Sequence, residues 1–315
     1  MNGNRIRVYI KSIQEETPKV KSFTLAALDD APLPAFSGGA HIQTFLQQPS
    51  LVRHYSLISS PYETDVYRIA VGLADDSKGG SIFWHRIARV GDTLEISYPR
   101  NHFPLSYRAR HHVFYAAGIG ITPYLSMMAD LKRRGKTFEL HYGAKNKELC
   151  AFSSFLEQHY SRETRFYFSE QGERLKGEGL FDHLIGTHVY FCGPNSFISS
   201  HLQMCADIGY PASSIHSEQF SAPLIRASSS FTAELSNGMS ISVPADKSLL
   251  DSLLGAGIEV PYSCRVGRCG TCELRVLDGE IVHNDSFLSD KQKKAQDVIV
   301  SCVSRSNNKI RIVCG

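Results

Sequence analysis

Hydrophobic and polar positions alternate in short runs over the first third of the chain. RIRVYIKSI, SFTLAAL, HIQTFLQQ, HYSLIS, VYRIAVGLA and DTLEISYP are each bounded by Pro, Gly, Asp or Ser. Runs of this length and spacing predict antiparallel strands of a barrel or sandwich over residues 1–105, interrupted by a helix over 81–89. From 106 to 222 the rhythm changes. Apolar runs with little alternation (HHVFYAAG, FELHYGAK, TRFYFSE, HVYFCGP, SIHSEQF) take turns with the helical patterns TPYLSMMADLKRRG, CAFSSFLEQHY and NSFISSHLQMCADIGY. Strands without alternation are covered on both faces, so this segment predicts βαβ units and a parallel sheet.

SAPLIRASSS, residues 221–230, is Ser-rich and aperiodic, and is read as a linker over 223–230. Beyond it, FTAELSN and MSISVPA predict a hairpin around Asn237-Gly238. A short amphipathic helix, SLLDSLLGAG, precedes a cysteine-rich loop, and the strands ELRVLDG and KIRIVCG complete a small α+β domain over 231–315. The pattern predicts a multidomain α/β and β protein with an antiparallel barrel or sandwich, a parallel-sheet α/β domain and a small C-terminal α+β domain. A chain of 315 residues exceeds one ordinary core, which agrees with this division.

Composition narrows the function. The net charge of +3 is spread along the chain without a basic block, so no nucleic-acid partner is expected. The longest apolar stretch, residues 113–125, is broken by Gly118, Gly120 and Pro123 and is too short to span a bilayer. The N-terminal MNGNRIRVYIKS has no apolar signal-peptide core. A cytoplasmic protein without a membrane partner is expected, and a monomer is assumed. Eight cysteines in a chain this long do not form a disulfide scaffold. Cys150, Cys205 and Cys314 read as small buried apolar residues.

Four cysteines carry chemistry. Cys264, Cys269 and Cys272 follow C-x4-C-x2-C spacing, and Cys302 lies downstream in what reads as the last strand-like segment. This is the ligand pattern of a plant-type [2Fe–2S] cluster. A four-cysteine zinc site is the alternative, although zinc ligands usually come as two C-x2-C pairs and Cys302 has no such neighbour. Gly267 and Gly270 let the loop backbone bend toward the sulfurs.

Three further strings suggest anion and cofactor sites. Gly118-Ile-Gly-Ile-Thr-Pro123 follows a strand and opens a helix, as a pyrophosphate-binding turn does; Thr122 can cap and Pro123 fits the first helical turn. The turn Cys192-Gly193-Pro194 also ends a strand before a helix, so the two should meet at the C-terminal edge of the sheet. Arg53-His54-Tyr55-Ser56-Leu57 offers a phosphate clamp, a stacking ring and a hydroxyl, and Lys78-Gly79-Gly80-Ser81 an anion nest. Each also occurs as an ordinary strand or turn. His111-His112 reads as the start of a strand.

Together, and in this order, these strings resemble the phthalate dioxygenase reductase family within the ferredoxin–NADP reductase superfamily. The resemblance covers nearly the whole chain and implies an antiparallel β-barrel flavin domain, a parallel-sheet α/β nucleotide-binding domain and a C-terminal α+β β-grasp ferredoxin domain, with FMN, NADH and a [2Fe–2S] cluster as cofactors. It implies that Arg53, Tyr55, Ser56 and Leu57, with Lys78, Gly79, Gly80 and Ser81, hold FMN, Ser56 lying near flavin N5 and Tyr55 on the ring. It also implies that Gly118, Gly120, Thr122 and Pro123, with Cys192, Gly193 and Pro194, bind NADH. Phe220 matches an aromatic shielding the other flavin face, or else fills the core at the domain end. Cys264, Cys269, Cys272 and Cys302 would ligate iron.

The expected activity is that of a reductase component delivering single electrons to a Rieske-type oxygenase or demethylase. A cytochrome P450 or other haem partner is the alternative, and a redox-sensing interaction module is a further one. NADH is expected over NADPH, because Ser169-Glu170 after the third strand of the parallel sheet would repel a 2′-phosphate, although Lys145 and Lys147 follow the second. From residue 231 onward ten Lys/Arg balance ten Asp/Glu, so partner docking should depend little on salt.

Overall fold

The computed structural model describes residues 5–46, 51–75, 77, 79–177, 179–220 and 229–313. The chain divides into two compact units, Met1–Gln219 and Phe220–Gly315. In the first, six antiparallel strands form one sheet: β1 (Arg5–Thr17), β2 (Val20–Ala27), β3 (His41–Leu46), β4 (Leu51–Ser56), β5 (Tyr67–Gly72) and β6 (Thr93–Ser97), in the order β4-β3-β6-β1-β2-β5. The edge strands approach one another through a Leu57–Ile69 bridge and a bond from Ile58 N–H to Arg68 C=O at 2.8 Å, closing the barrel. Val8, Ile10, Phe23, Leu25, Ile42 and Ile96 fill its interior. The helix expected over 81–89 is instead α1 (Gly80–Ile82) followed by a wide π-turn, Phe83–Ile87. Within that turn Trp84 is fully buried, 4.6 Å from the Phe23 ring centroid.

The second layer of this unit is a parallel sheet of β7 (His111–Ala117), β8 (Thr137–Ala144), β9 (Thr164–Phe168), β10 (Thr187–Cys192) and β11 (Ile215–Glu218). Helices α2 (Thr122–Arg133), α3 (Ser153–His159) and α4 (Asn195–Asp207) connect it. The order β9-β8-β7-β10-β11 is doubly wound, with its switch point between β7 and β10, where such sheets bind ligands. Separate apolar clusters, one including Phe114, Tyr124 and Met128 and the other Tyr115, Ile198 and Cys205, agree with strands covered on both faces.

The barrel packs tightly on α2. A Cβ on Gly38 would stand 2.8 Å from Met127 Cα, and Gly39 N–H donates to Ser126 Oγ at 3.0 Å. The buried Asp130 carboxylate accepts from Tyr62 (2.8 Å), Tyr107 (3.1 Å) and Arg134 Nε (2.6 Å). This strut ties a barrel loop and the segment before β7 to α2.

The second unit holds β12 (Phe231–Leu235), β13 (Ser240–Val243), α5 (Leu249–Gly255), β14 (Glu273–Asp278), α6 (Asp290–Ala295), β15 (Val298–Val300) and β16 (Lys309–Ile312). Its sheet runs β13-β12-β16-β14-β15, with β12 and β16 parallel and the other pairs antiparallel. The hairpin at Asn237-Gly238 forms as expected, with Gly238 at φ 88°. Ser248 caps α5 by accepting from Asp251 N–H, and Leu249, Leu250 and Leu253 enter the core. One placement differs from expectation. Cys302 is not in the last strand but in the turn after β15, because α6 lies in a charged stretch without a helical period and β15 has only three residues. Most of the expected linker, 223–228, and Cys314 lie outside the described residues.

Candidate cofactor sites

The two strand-end turns meet at the switch point. β7 and β10 pair in register with Ala116 opposite Cys192, so the residues that follow them emerge side by side. A Cβ on Gly120 would stand 2.1 Å from Cys192 C=O and 2.7 Å from Gly193 N, and one on Gly193 2.9 Å from Ala117 Cβ. Only glycine permits this approach. Gly118 sits at φ 56° and its carbonyl accepts from the buried Tyr142 hydroxyl at 3.0 Å. The turn itself, Gly118–Ile121, is a 3-10 segment running into α2, with Pro123 in the first helical turn. Thr122 does not cap it: its hydroxyl donates to Ile119 C=O at 3.0 Å.

Above this edge lies a cleft of about 550 Å³, within the range of roughly 300–1,000 Å³ typical of small-molecule sites. Its lining includes Gly118, Ile119, Lys145, Tyr167 and Pro194 from the parallel-sheet layer, and Lys19 from the β1–β2 turn of the barrel. The cleft therefore spans both layers of the first unit. Lys19 and Tyr142 were not foreseen, since nothing near them in sequence marks them as neighbours of Gly118. At the far side, Lys145 Nζ pairs with Glu170 at 3.2 Å and Asn146 Nδ2 donates to the same carboxylate at 2.8 Å. Those two partners hold the Glu170 carboxyl below its ordinary pKa.

On the barrel, Arg53 and the glycine nest come together. A Cβ on Gly80 would lie 2.8 Å from both Cγ and Nε of Arg53, so the missing side chain leaves room for the arginine. Gly79 is left-handed at φ 94°, and Ser81 Oγ accepts from Ala74 N–H and donates to Ser77. Lys78 lies outside the described residues. Tyr55 packs edge-on to Trp84 at 5.8 Å, and burial pushes its hydroxyl pKa up. Ser56 is buried and Leu57, fully buried, closes the barrel through its backbone. Phe220 stands 41 % exposed at the head of the second unit.

The four thiols of the cysteine loop stand as two hydrogen-bonded pairs, Cys264 with Cys269 and Cys272 with Cys302. Within the pairs, hydrogen bonds from Cys264 and Cys302 push the Cys269 and Cys272 thiols down, favouring thiolate at those sulfurs. Cys264 N–H donates to Cys269 Sγ at 3.4 Å and Arg268 N–H to Cys264 Sγ at 3.5 Å. Gly267 and Gly270 are left-handed (φ 76° and 69°), and a Cβ would meet Val303 Cγ2 at 2.5 Å or the Phe287 ring at 2.4 Å. Two sulfurs per metal, with backbone donors aimed at them, fit a two-iron cluster.

Asp285 organises this loop from behind. Its buried carboxylate accepts from Leu288 N–H (2.8 Å), Phe287 N–H (3.2 Å) and Ser304 Oγ (3.1 Å), while Ser286 N–H bonds Gly267 C=O at 3.0 Å. The sequence offered no signal for it. Cys150 and Cys205 are buried as expected, and burial pushes their thiols up to about 12 and about 11. His111 and His112 begin β7.

A doubly wound sheet joined to a barrel, in one chain with a four-cysteine loop, defines an electron-transfer oxidoreductase. Comparison with known proteins agrees. The family model for the 2Fe-2S iron-sulfur cluster binding domain matches residues 233–307. The carnitine monooxygenase reductase subunit of Escherichia coli K12 is 40% identical over 308 residues, covering 96% of each chain. The heme-dependent oxidative N-demethylase beta subunit of Ectopseudomonas mendocina is 39% identical, covering 95% of each. The solved structure of phthalate dioxygenase reductase, described as modular for electron transfer from pyridine nucleotides to [2Fe-2S], superposes with a TM-score of 0.78 at 32% identity, over 98% of each chain. The chain belongs to the phthalate dioxygenase reductase family. Among the described residues no helix is long and apolar enough to cross a membrane.

Proposed function

We propose that this protein is an NADH-dependent FMN and [2Fe–2S] reductase that supplies single electrons to a Rieske-type oxygenase or demethylase. The observation that carries the reading is the cleft shared by the barrel and the C-terminal edge of the parallel sheet, which sets the Gly118 and Pro194 turns beside the β1–β2 turn of the barrel. When bound, the flavin takes up the hydride pair and the cluster hands on electrons one at a time, which the chemistry of these cofactors supplies. The protein's share is to bind and orient. Arg53 with Lys78, Gly79, Gly80 and Ser81 takes the FMN phosphate; Tyr55, Ser56 and Leu57 form the wall beside the ring, and Phe220 covers its other face. The turns at Gly118, Gly120, Thr122 and Pro123 and at Cys192, Gly193 and Pro194 seat NADH. Cys264, Cys269, Cys272 and Cys302 hold the cluster.

We assign 1–105 to the flavin domain, 106–222 to the nucleotide domain, 223–230 to a linker and 231–315 to the ferredoxin domain, in a cytoplasmic monomer. NADH is favoured because the Glu170 carboxylate, fixed by Lys145 and Asn146, places negative charge where a 2′-phosphate would add more. An anaerobic NADH titration followed by low-temperature EPR tests the reading. A reduced [2Fe–2S] signal growing in after flavin bleaching supports it, and bleaching without that signal ends it.

A haem-containing partner is the second reading, favoured by the relative named for heme-dependent oxidative N-demethylation. Turnover reconstituted with a Rieske-type oxygenase or with a haem enzyme separates the two.

A further inference from the structure

Within the cysteine loop, Arg265 is the one residue other than glycine with a left-handed backbone, at φ 57°. That conformation is costly for any residue with a Cβ and persists only where the surroundings impose it. Here it turns the chain directly after Cys264. The residues that follow direct their N–H groups back at the sulfurs, as in an anion nest. Arg268 N–H donates to Cys264 Sγ at 3.5 Å, Val266 N–H bonds the same sulfur, and Gly267 N–H bonds Cys302.

The turn is tied to the start of α5. Arg265 Nη1 donates to Asp251 Oδ1 at 2.8 Å, and the guanidinium lies 4.3 Å over the Tyr262 ring. Its buried Nε–H has no hydrogen-bond partner among the described residues, so these two contacts hold the side chain. Asp251 is itself fixed, since its N–H donates to the Ser248 hydroxyl at 3.0 Å and its Oδ2 accepts from that hydroxyl at 2.7 Å. The same helical turn supports the other half of the site: Leu250 N–H donates to Ser301 C=O at 2.9 Å, next to Cys302. The side chains of Arg265 and Asp251 are 38% and 46% exposed, so their ion pair adds little to stability. Its weight lies in where it holds the loop backbone.

We propose that Asp251 and Arg265 are positioning residues for the cluster, holding the turn after Cys264 so that its backbone N–H groups face the sulfurs and thereby raising the cluster's reduction potential. The proposal rests on the [2Fe–2S] reading given above. N–H groups aimed at sulfur favour the more negative, reduced form. Releasing the turn therefore lowers the potential.

The test is a redox titration of full-length holoprotein with dithionite and mediators, followed by low-temperature EPR, for wild type, Arg265→Ala, Arg265→Gly and Asp251→Ala. Losing one hydrogen bond to a charged sulfur shifts the equilibrium between oxidised and reduced cluster roughly tenfold, which is about 59 mV for one electron. Arg265→Ala and Asp251→Ala should both fall by that order. Arg265→Gly, free to stay left-handed, should remain near wild type. A role through charge alone gives different signs: deleting the Asp251 carboxylate would raise the potential, and Arg265→Gly would fall as far as Arg265→Ala. Either of those results, or wild-type potentials in both alanine variants, overturns the proposal. If Arg265→Ala loses its cluster, the sign of the shift in Asp251→Ala, whose loop sequence is intact, decides. A wild type without a reduced [2Fe–2S] signal overturns the cluster reading and the proposal with it.

Discussion

The two strand-end turns and the cysteine loop both depend on glycines where backbone or side chains crowd, yet they are built in opposite ways. Gly120 meets Cys192 because two hydrogen-bonded parallel strands deliver them in register, so the contact is preformed by the sheet. The loop from Pro261 to Cys272 has no regular secondary structure. Its shape is imposed by Asp285, by Val303 and Phe287 against the glycines, and by bonds to sulfur. A site carried by a ladder keeps its form without ligand, whereas one carried by side chains and sulfurs should need its metal.

The sharpest way to break this contrast is to remove the metal. Chelation or Cys302→Ser should abolish the visible cluster absorbance and sharply lower hydrogen-exchange protection in the second unit, while leaving β7 and β10 protected. Equal protection of the cysteine loop with and without iron would refute the contrast.

Gly120→Ala should come next. Overpacking of about 1–3 kcal/mol against the Cys192 carbonyl would lower kcat/KM for NADH by roughly 10- to 100-fold, with the cluster absorbance intact. Gly91→Ala, in open space but at φ 92°, would leave NADH kinetics near wild type.

Asp285→Ala strands two backbone donors and the Ser304 hydroxyl in a buried place, at a cost of about 3 kcal/mol. Thermal unfolding of the holoprotein should show this as destabilisation of the second unit together with faster cluster loss. A variant that kept its cluster as long as wild type would place the loop's rigidity elsewhere.

The smallest effect belongs to the strut in the first unit. Burial alone would raise the Asp130 pKa, but hydrogen bonds from Arg134, Tyr62 and Tyr107 outweigh it and hold the carboxyl below its ordinary value of 3.8. A depressed carboxyl contributes stability that is present above the unfolded-state pKa and is lost as pH falls through the folded one. Wild type should therefore lose an increment of about 1 kcal/mol below pH 4 that Asp130→Asn lacks at every pH. Parallel denaturant midpoints for the two proteins from pH 7 downward would contradict this.

Much of the fold was legible because its signals are local. Apolar runs without alternation marked β7 and β10, Asn237-Gly238 marked the hairpin, and Cys264-x4-Cys269-x2-Cys272 marked the metal loop. The expectation that the two glycine turns meet also held, since parallel strands in a doubly wound sheet bring their ends together by topology. What failed locally did so for identifiable reasons. Thr122 follows a 3-10 turn whose carbonyl takes its hydroxyl, so no capping position is left for it. Cys302 was assigned to the wrong element because α6 is short and polar and β15, though apolar, has only three residues, so neither shows a period.

By itself the sequence determined the kinds of element, their order and the residue types able to hold phosphate, flavin and iron, because backbone preference and ligand spacing act over a few residues. Only the tertiary structure decided that Lys19 reaches the cleft above Gly118, that Tyr142 fixes that turn and that Asp285 stands behind the cysteines. These groups lie far apart along the chain. Their meeting depends on strand order and layer packing, which no local pattern encodes.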